Sequence, residues 1–168
     1  MSDKSNALTF GHDLWQRVFA EVRGEYPEIE SSHMYIDNLL MQMVRDPSQF
    51  EVIVTCNLFG DIASDLGAGL IGGLGLTPSG NIHPGKVSLF EPVHGSAPNI
   101  AGKNIANPMG AVLAAGMMCD YLGWPAEART IENAVRAALR EGKITTDLGG
   151  TLSTREVGDW LTATVAAK

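Results

Sequence analysis

Two aspartates, Asp61 and Asp65, stand four residues apart in the apolar, glycine-rich stretch NLFGDIASDLGAGLIGGLGL, Asn57 to Leu76. Like charges at that spacing disfavour a helix by about 0.2–0.5 kcal/mol, and carboxylates set beside apolar surface carry a desolvation cost as well. A bound cation would offset both. Together with Asp37 the pair makes a set of oxygen donors with no clustered His or Cys, which suits a hard divalent ion such as Mg²⁺ or Mn²⁺. By spacing alone such a pair more often marks a solvated helix face. Its position, just after an apolar run and where a loop leads into a helix, is where α/β proteins gather their ligands.

A second candidate is FEPVHGSAPNIAGKNIANP, 90 to 108. Gly95, Ser96 and Ala97 are small enough to let a ligand approach the backbone. His94 and Asn107 offer hydrogen bonds to a base edge, and Asn99 can reach a sugar hydroxyl. An ordinary structured loop would use the same turn residues, and neither this segment nor Gly72 to Gly75 forms a G-x-G-x-x-G or G-x-x-x-x-G-K-[ST] phosphate loop. Lys4, in DKSNAL, is the third candidate, although a lone lysine is normally a solubilising charge. No G-x-S-x-G elbow or catalytic triad is present.

The elements that must position these residues are legible from periodicity and punctuation. Residues 11 to 25 place Leu14, Trp15, Val18, Phe19 and Val22 at helical spacing. MYI at 34 to 36 predicts a short strand, after which Asp37 can cap a helix that ends at Asp46-Pro47. FEVIVTC, 50 to 56, is a nearly continuous apolar and β-branched run, as expected of a strand covered on both faces. A helix over 58 to 71 follows, then a glycine-rich passage, 72 to 85, where regular structure should break. VSLFEPVHG predicts a strand and loop; Asn107-Pro108 starts a helix that Gly123 ends; further helices are expected over 125 to 141 and 154 to 166. Strands alternating with helices argue an α/β fold with no internal repeat.

The chain's 168 residues, 45% apolar and 18% charged, describe an ordinary globular protein. A net charge of −7 and the lack of any Lys/Arg-rich run oppose nucleic-acid binding. Cys56 and Cys119, among apolar neighbours and without metal-type spacing, are expected to be buried free thiols in a reducing compartment. With no long apolar run and no signal-peptide core, no membrane association is expected and the cytoplasm is the default location.

Taken together, DKSNAL, the run YIDNLLMQMVRDPSQFEVIVTCNLFGDIASDLGAGLIGGLGLTPSGNI, FEPVHGSAPNIAGKNIANP and TTDLGG resemble the β-decarboxylating dehydrogenases, the family of the 3-isopropylmalate, isocitrate, homoisocitrate and tartrate/D-malate enzymes. The resemblance implies an α/β, partial isopropylmalate dehydrogenase-like fold, a mixed sheet with flanking helices. It implies that residues 1 to 72 are the later part of a small dimerising domain and 73 to 168 the C-terminal part of a large cofactor domain. It implies Asp37, Asp61 and Asp65 around Mg²⁺ or Mn²⁺, and Lys4 and Asp37 as catalytic residues. Glu91, His94, Gly95, Ser96, Ala97, Asn99, Asn107 and Asp147 would border the dinucleotide. Each site would be built from two subunits of a homodimer, Lys4 and Asp37 serving the neighbour's Asp61 and Asp65. The reaction implied is oxidative decarboxylation of a hydroxy-dicarboxylate or tricarboxylate of the 3-isopropylmalate type; the isocitrate, homoisocitrate and tartrate/malate enzymes, or a non-catalytic regulatory subunit, are the alternatives. NAD is favoured by Ile100, with NADP left open because Asn99 stands where NAD-using members generally carry Asp. The family's chain is about twice as long, so a missing N-terminal half and weak activity of this chain alone are expected.

Overall fold

The computed structural model describes residues 1–167, which divide into two compact units, Met1–Leu70 and Ile71–Lys168. In the first, β1 (Ser2–Asp3) pairs in parallel with β2 (Met34–Tyr35), with Ser2 opposite Met34 and Asp3 opposite Tyr35. Between them runs α1 (Thr9–Glu25), the expected amphipathic helix. β2 passes directly into α2 (Ile36–Arg45), which stops before Asp46-Pro47 because a residue preceding proline is driven out of the helical region. Asp37 is not the cap of α2 but lies inside its first turn; Tyr35, extended at φ −67° and ψ 147°, holds the cap position. α3 (Asn57–Leu70) carries Asp61 and Asp65.

The run 50 to 56 departs from expectation. It forms no strand among the described residues, and its one backbone link to the sheet is Ser2 N–H donating to the Val54 carbonyl at 2.9 Å. Val52 is 88% exposed, so the run is not covered on both faces either. An extended segment is a strand only when a neighbour offers a ladder, and the first unit supplies one hydrogen bond rather than a ladder. Its buried apolar residues are few: Ile36, Leu39, Ala63 and Ala68.

The second unit holds most of the core. β3 (Pro78–Asn81) and β4 (Leu89–Pro92) form an antiparallel pair, Pro78 opposite Pro92 and Asn81 opposite Leu89. β3 lies inside the glycine-rich passage where no strand was expected; its residues, Pro-Ser-Gly-Asn, are poor strand formers and are held by the β4 ladder. Against this pair packs α4 (Met109–Tyr121), an almost wholly apolar helix contacted by β3, β4 and α5 (Pro125–Arg140); its Met109, Gly110, Ala114 and Gly116 are buried, while Met117, Met118 and Tyr121 stay exposed. Gly116 lets α5 come close, since a Cβ there would lie 3.2 Å from Ile131 Cγ2. Gly123, at φ +84°, ends α4 in the left-handed region that glycine adopts freely. α6 (Thr154–Ala166) packs on α5, and Met109, Ala134, Val135, Ala138, Val157 and Leu161 meet in one cluster. Cys56 and Cys119 are free thiols, half-buried rather than fully buried. Among the described residues no helix is long and apolar enough to cross a membrane.

Candidate active site

In the first unit the parallel pairing of β1 and β2 sets the two chains leaving it side by side. Lys4 follows β1 directly, and Asp37 follows β2 by two residues. Their side chains meet, Lys4 Nζ donating to Asp37 Oδ1 at 2.6 Å. That hydrogen bond is the main reason the Asp37 carboxyl lies below the usual carboxylate range. The Lys4 side chain is 26% exposed and Asp37's 67%, so the lysine is the seated partner. The Lys4 ammonium also lies 5.8 Å from the centre of the Tyr35 ring, within cation–π range.

Asp61 and Asp65 lie one turn apart on α3, exposed, and neither has an ion-pair partner among the described residues. Within the described residues of one chain, no three His, Cys, Asp or Glu side chains converge closely enough to hold a metal, so Asp37 does not join the α3 pair. Two exposed, unneutralised carboxylates on one helix face nevertheless suit a hard divalent cation as oxygen donors, with the remaining ligands left to other groups. Asp37, already held by Lys4, would have to exchange that partner.

In the second unit a cleft of about 870 Å³, the size of a cofactor or drug site, opens along the loop after β4. Six of the residues singled out from sequence line it: His94, Gly95, Ser96, Ala97, Asn107 and Asp147. Glu91 and Asn99 do not. Glu91 sits within β4 opposite Ser79, and Asn99 is exposed on a turn closed by Ile100 and Ala101 N–H groups donating to the Ala97 carbonyl. Ala97 turns the chain at φ +44°, a rare conformation for a residue with a Cβ. His94 Nδ1 is 2.9 Å from the Gly95 carbonyl; an oxygen that can only accept places the ring proton on Nδ1 and leaves Nε2 available.

Asn107 is nearly buried and engaged at both ends. Its Oδ1 accepts from Met109 N–H at 3.0 Å, and its Nδ2 donates to Asp147 Oδ2 at 3.1 Å. Thr145 Oγ donates to the other Asp147 oxygen in a short hydrogen bond. One Nδ2 proton and one Oδ1 lone pair remain for a base edge.

Ile100, on which the preference for NAD was based, also lines the cleft, as do Leu74, Gly75, Asn104, Thr154 and Arg155, which were not singled out from sequence. Gly75 presses its backbone against the Asn107–Asp147 contact. Thr154 and Arg155 arrive from far along the chain: Thr154 Oγ donates to the Ala106 carbonyl at 2.6 Å and Arg155 N–H to Asn104 Oδ1 at 3.1 Å. Asn104, in the left-handed region at φ +58°, also accepts Thr154 N–H on its carbonyl. Ser153 closes a capping box, its Oγ accepting from Glu156 N–H while Glu156 accepts from Ser153 N–H; that N–H, and after it the Ser153 hydroxyl, donate to the Glu156 carboxylate and hold it below its ordinary range. The first three N–H groups of α6 are therefore all taken inside the protein.

The first unit thus holds a lysine and a carboxylate in contact, and the second unit a cleft of about 870 Å³. The chain belongs to the isocitrate/isopropylmalate dehydrogenase family, whose model matches residues 1–161. Among its relatives, the 3-isopropylmalate dehydrogenase of Zymomonas mobilis is 51% identical over 158 residues, 94% of this chain and 45% of that one. That of Archaeoglobus fulgidus is 50% identical over 153 residues, 91% of this chain and 47% of that one. The isocitrate dehydrogenase from Methylococcus capsulatus superposes with a TM-score of 0.86 at 44% identity, covering 98% of this chain and 50% of that one. A β-decarboxylating dehydrogenase from Thermococcus kodakarensis, in its apo form, gives 0.79 at 43% identity over 99% of this chain and 48% of that one. The chain thus spans a little under half the length of the relatives it matches by sequence.

Proposed function

We propose that this chain supplies the proton-transfer, metal and dinucleotide parts of an NAD-dependent, Mg²⁺- or Mn²⁺-dependent enzyme that oxidatively decarboxylates a 2-hydroxy acid bearing a β-carboxylate, of the 3-isopropylmalate type. The observation that carries the reading is the 2.6 Å contact of Lys4 with Asp37. An amine becomes a base only after losing its proton, and a carboxylate hydrogen-bonded to it opposes that loss. Drawing Asp37 to another partner would free the Lys4 amine to take the substrate's hydroxyl proton and to return a proton to the carbon that loses CO₂, while a nicotinamide, when bound, would supply the hydride acceptor. Asp61 and Asp65, with Asp37, would hold the divalent cation, which supplies polarisation of the new carbonyl and stabilisation of the enolate. His94, Gly95, Ser96 and Ala97 would line the dinucleotide, and Asn107, braced by Asp147, would present its free Nδ2 proton to the base. The names carried by the relatives at 50–51% identity favour 3-isopropylmalate over the other hydroxy acids. A homodimer sharing sites between subunits would bring Lys4 and Asp37 to a neighbour's Asp61 and Asp65.

Thermal unfolding of the chain with Mn²⁺ or NADH tests this directly. A ligand at 100 times its Kd should add about 2.7 kcal/mol of stability. Asp61→Asn/Asp65→Asn should abolish the Mn²⁺ effect and leave the NADH effect. If neither ligand raises the melting temperature at millimolar concentration, the reading fails.

A further inference from the structure

Asp3 has no part in the proposed chemistry, yet it is the most completely buried charged side chain described, with none of its surface exposed. Four hydrogen bonds converge on it. Oδ1 accepts from Ser5 N–H at 3.1 Å, Ser5 Oγ at 3.1 Å and His33 Nε2 at 2.8 Å, and Oδ2 accepts from Gln16 Nε2 at 2.9 Å. Because a carboxylate only accepts, His33 carries its proton on Nε2. The donors come from three places: the turn after β1, the middle of α1 and the approach to β2.

β1 and β2 are two residues each, and so short a parallel ladder does little to fix its own register. A slip of one residue would turn every side chain to the opposite face. Lys4 and Asp37 are the residues that such a slip would part. We propose that Asp3, through His33, is the positioning residue that sets Lys4 against Asp37. His33 completes a second path to the same lysine: its ring packs edge-on against Tyr35, centroids 5.0 Å apart, and Tyr35 is the ring beneath the Lys4 ammonium. Ser5, on the same oxygen as His33, and Gln16, on the other, tie the carboxylate to the turn after β1 and to α1, so Asp3 cannot follow a sliding β2.

This inference rests for its functional meaning on Lys4 being the working base, but its test requires neither metal, dinucleotide nor turnover. The rate of Lys4 acetylation is measured by mass spectrometry at fixed pH, against the exposed Lys86 and Lys103 as internal references. Asp37→Asn sets the rate for a lysine released from its partner. Asp3→Asn and His33→Ala should raise Lys4 labelling several-fold toward that rate with the reference lysines unchanged, and His33→Gln, whose amide can donate to Asp3, should restore the parent rate. If Asp3→Asn does not fold, His33→Ala, a partly exposed side chain, decides alone. Unchanged Lys4 labelling in folded His33→Ala overturns the inference, as does a His33→Gln chain that behaves like His33→Ala. A chain that shows the labelling pattern but binds neither Mn²⁺ nor NADH would overturn the proposed function and leave the positioning role standing.

Discussion

Replacing Gly75 by alanine tests whether the contact between Asn107 and Asp147 holds the cleft together. The new Cβ would lie 2.8 Å from Asp147 Oδ2 and 2.9 Å from Asn107 Cβ, about 0.6 Å inside an ordinary carbon contact of ~3.5 Å. The Asp147 oxygen ends a side chain and can swing. Asn107 Cβ has less room, because its residue is nearly buried and its Oδ1 is tied to Met109 N–H. Overpacking a filled site costs about 1–3 kcal/mol, and losing a hydrogen bond to a charged group about 1.5–3 kcal/mol. One displacement causes both, so they overlap, and about 2 kcal/mol is expected for the variant. In a cooperative unit of about a hundred residues, each kcal/mol moves the melting temperature by roughly 4–8 °C, giving a fall of roughly 8–16 °C. Calorimetry reads the fall, and titration with NADH reads the accompanying loss of affinity as Asn107 is pushed from its place. A melting temperature within about 2 °C of the parent, with NADH affinity unchanged, would show that the cleft does not depend on this contact.

Gly158→Ala should act in the opposite direction. Its Cβ would meet nothing within 4 Å, and its backbone lies within α6, so a gain of about 0.5–1 kcal/mol in denaturant unfolding is expected from the better helix former. Acid should destabilise the first unit through Asp3. Burial pushes the Asp3 carboxyl up, but the hydrogen bonds from His33, Ser5 and Gln16 outweigh it, and the folded value lies below the ordinary 3.8. A carboxyl depressed by folding contributes stability above its unfolded value and loses it as pH falls through the folded one. Unfolding free energy should therefore drop as pH is lowered past about 3.8, and Asp3→Asn should flatten that dependence when denaturation is followed at several pH values.

Much of this architecture was legible because it is written locally. The helices expected over 11–25, 125–141 and 154–166 announce themselves through apolar period and through Pro and Gly punctuation, and stand at Thr9–Glu25, Pro125–Arg140 and Thr154–Ala166. The loop from His94 to Asn107 could be found because small, polar and proline residues crowd it. What could not be read is what depends on distant partners. The apolar run 50 to 56 has a strand's composition but only one bond to β1, and β3 has a turn's composition but a complete partner in β4. Gly75 gave no motif, and Thr154 and Arg155 looked like an ordinary helix start; their roles come from contacts made some fifty residues away in sequence. Asp3 was hidden in the same way, its meaning residing in His33, thirty residues on.

The saturated first turn of α6 has a consequence for how the cleft can hold an anionic cofactor. With Thr154, Arg155 and Glu156 N–H already occupied, the helix end cannot act as a phosphate cradle, and Arg155 is the one Lys or Arg among the residues lining the cleft. Fit and neutral hydrogen bonds along the loop would carry recognition together with that single guanidinium. With one cationic contact at most, the affinity of the cleft for a dinucleotide should change only weakly as ionic strength rises.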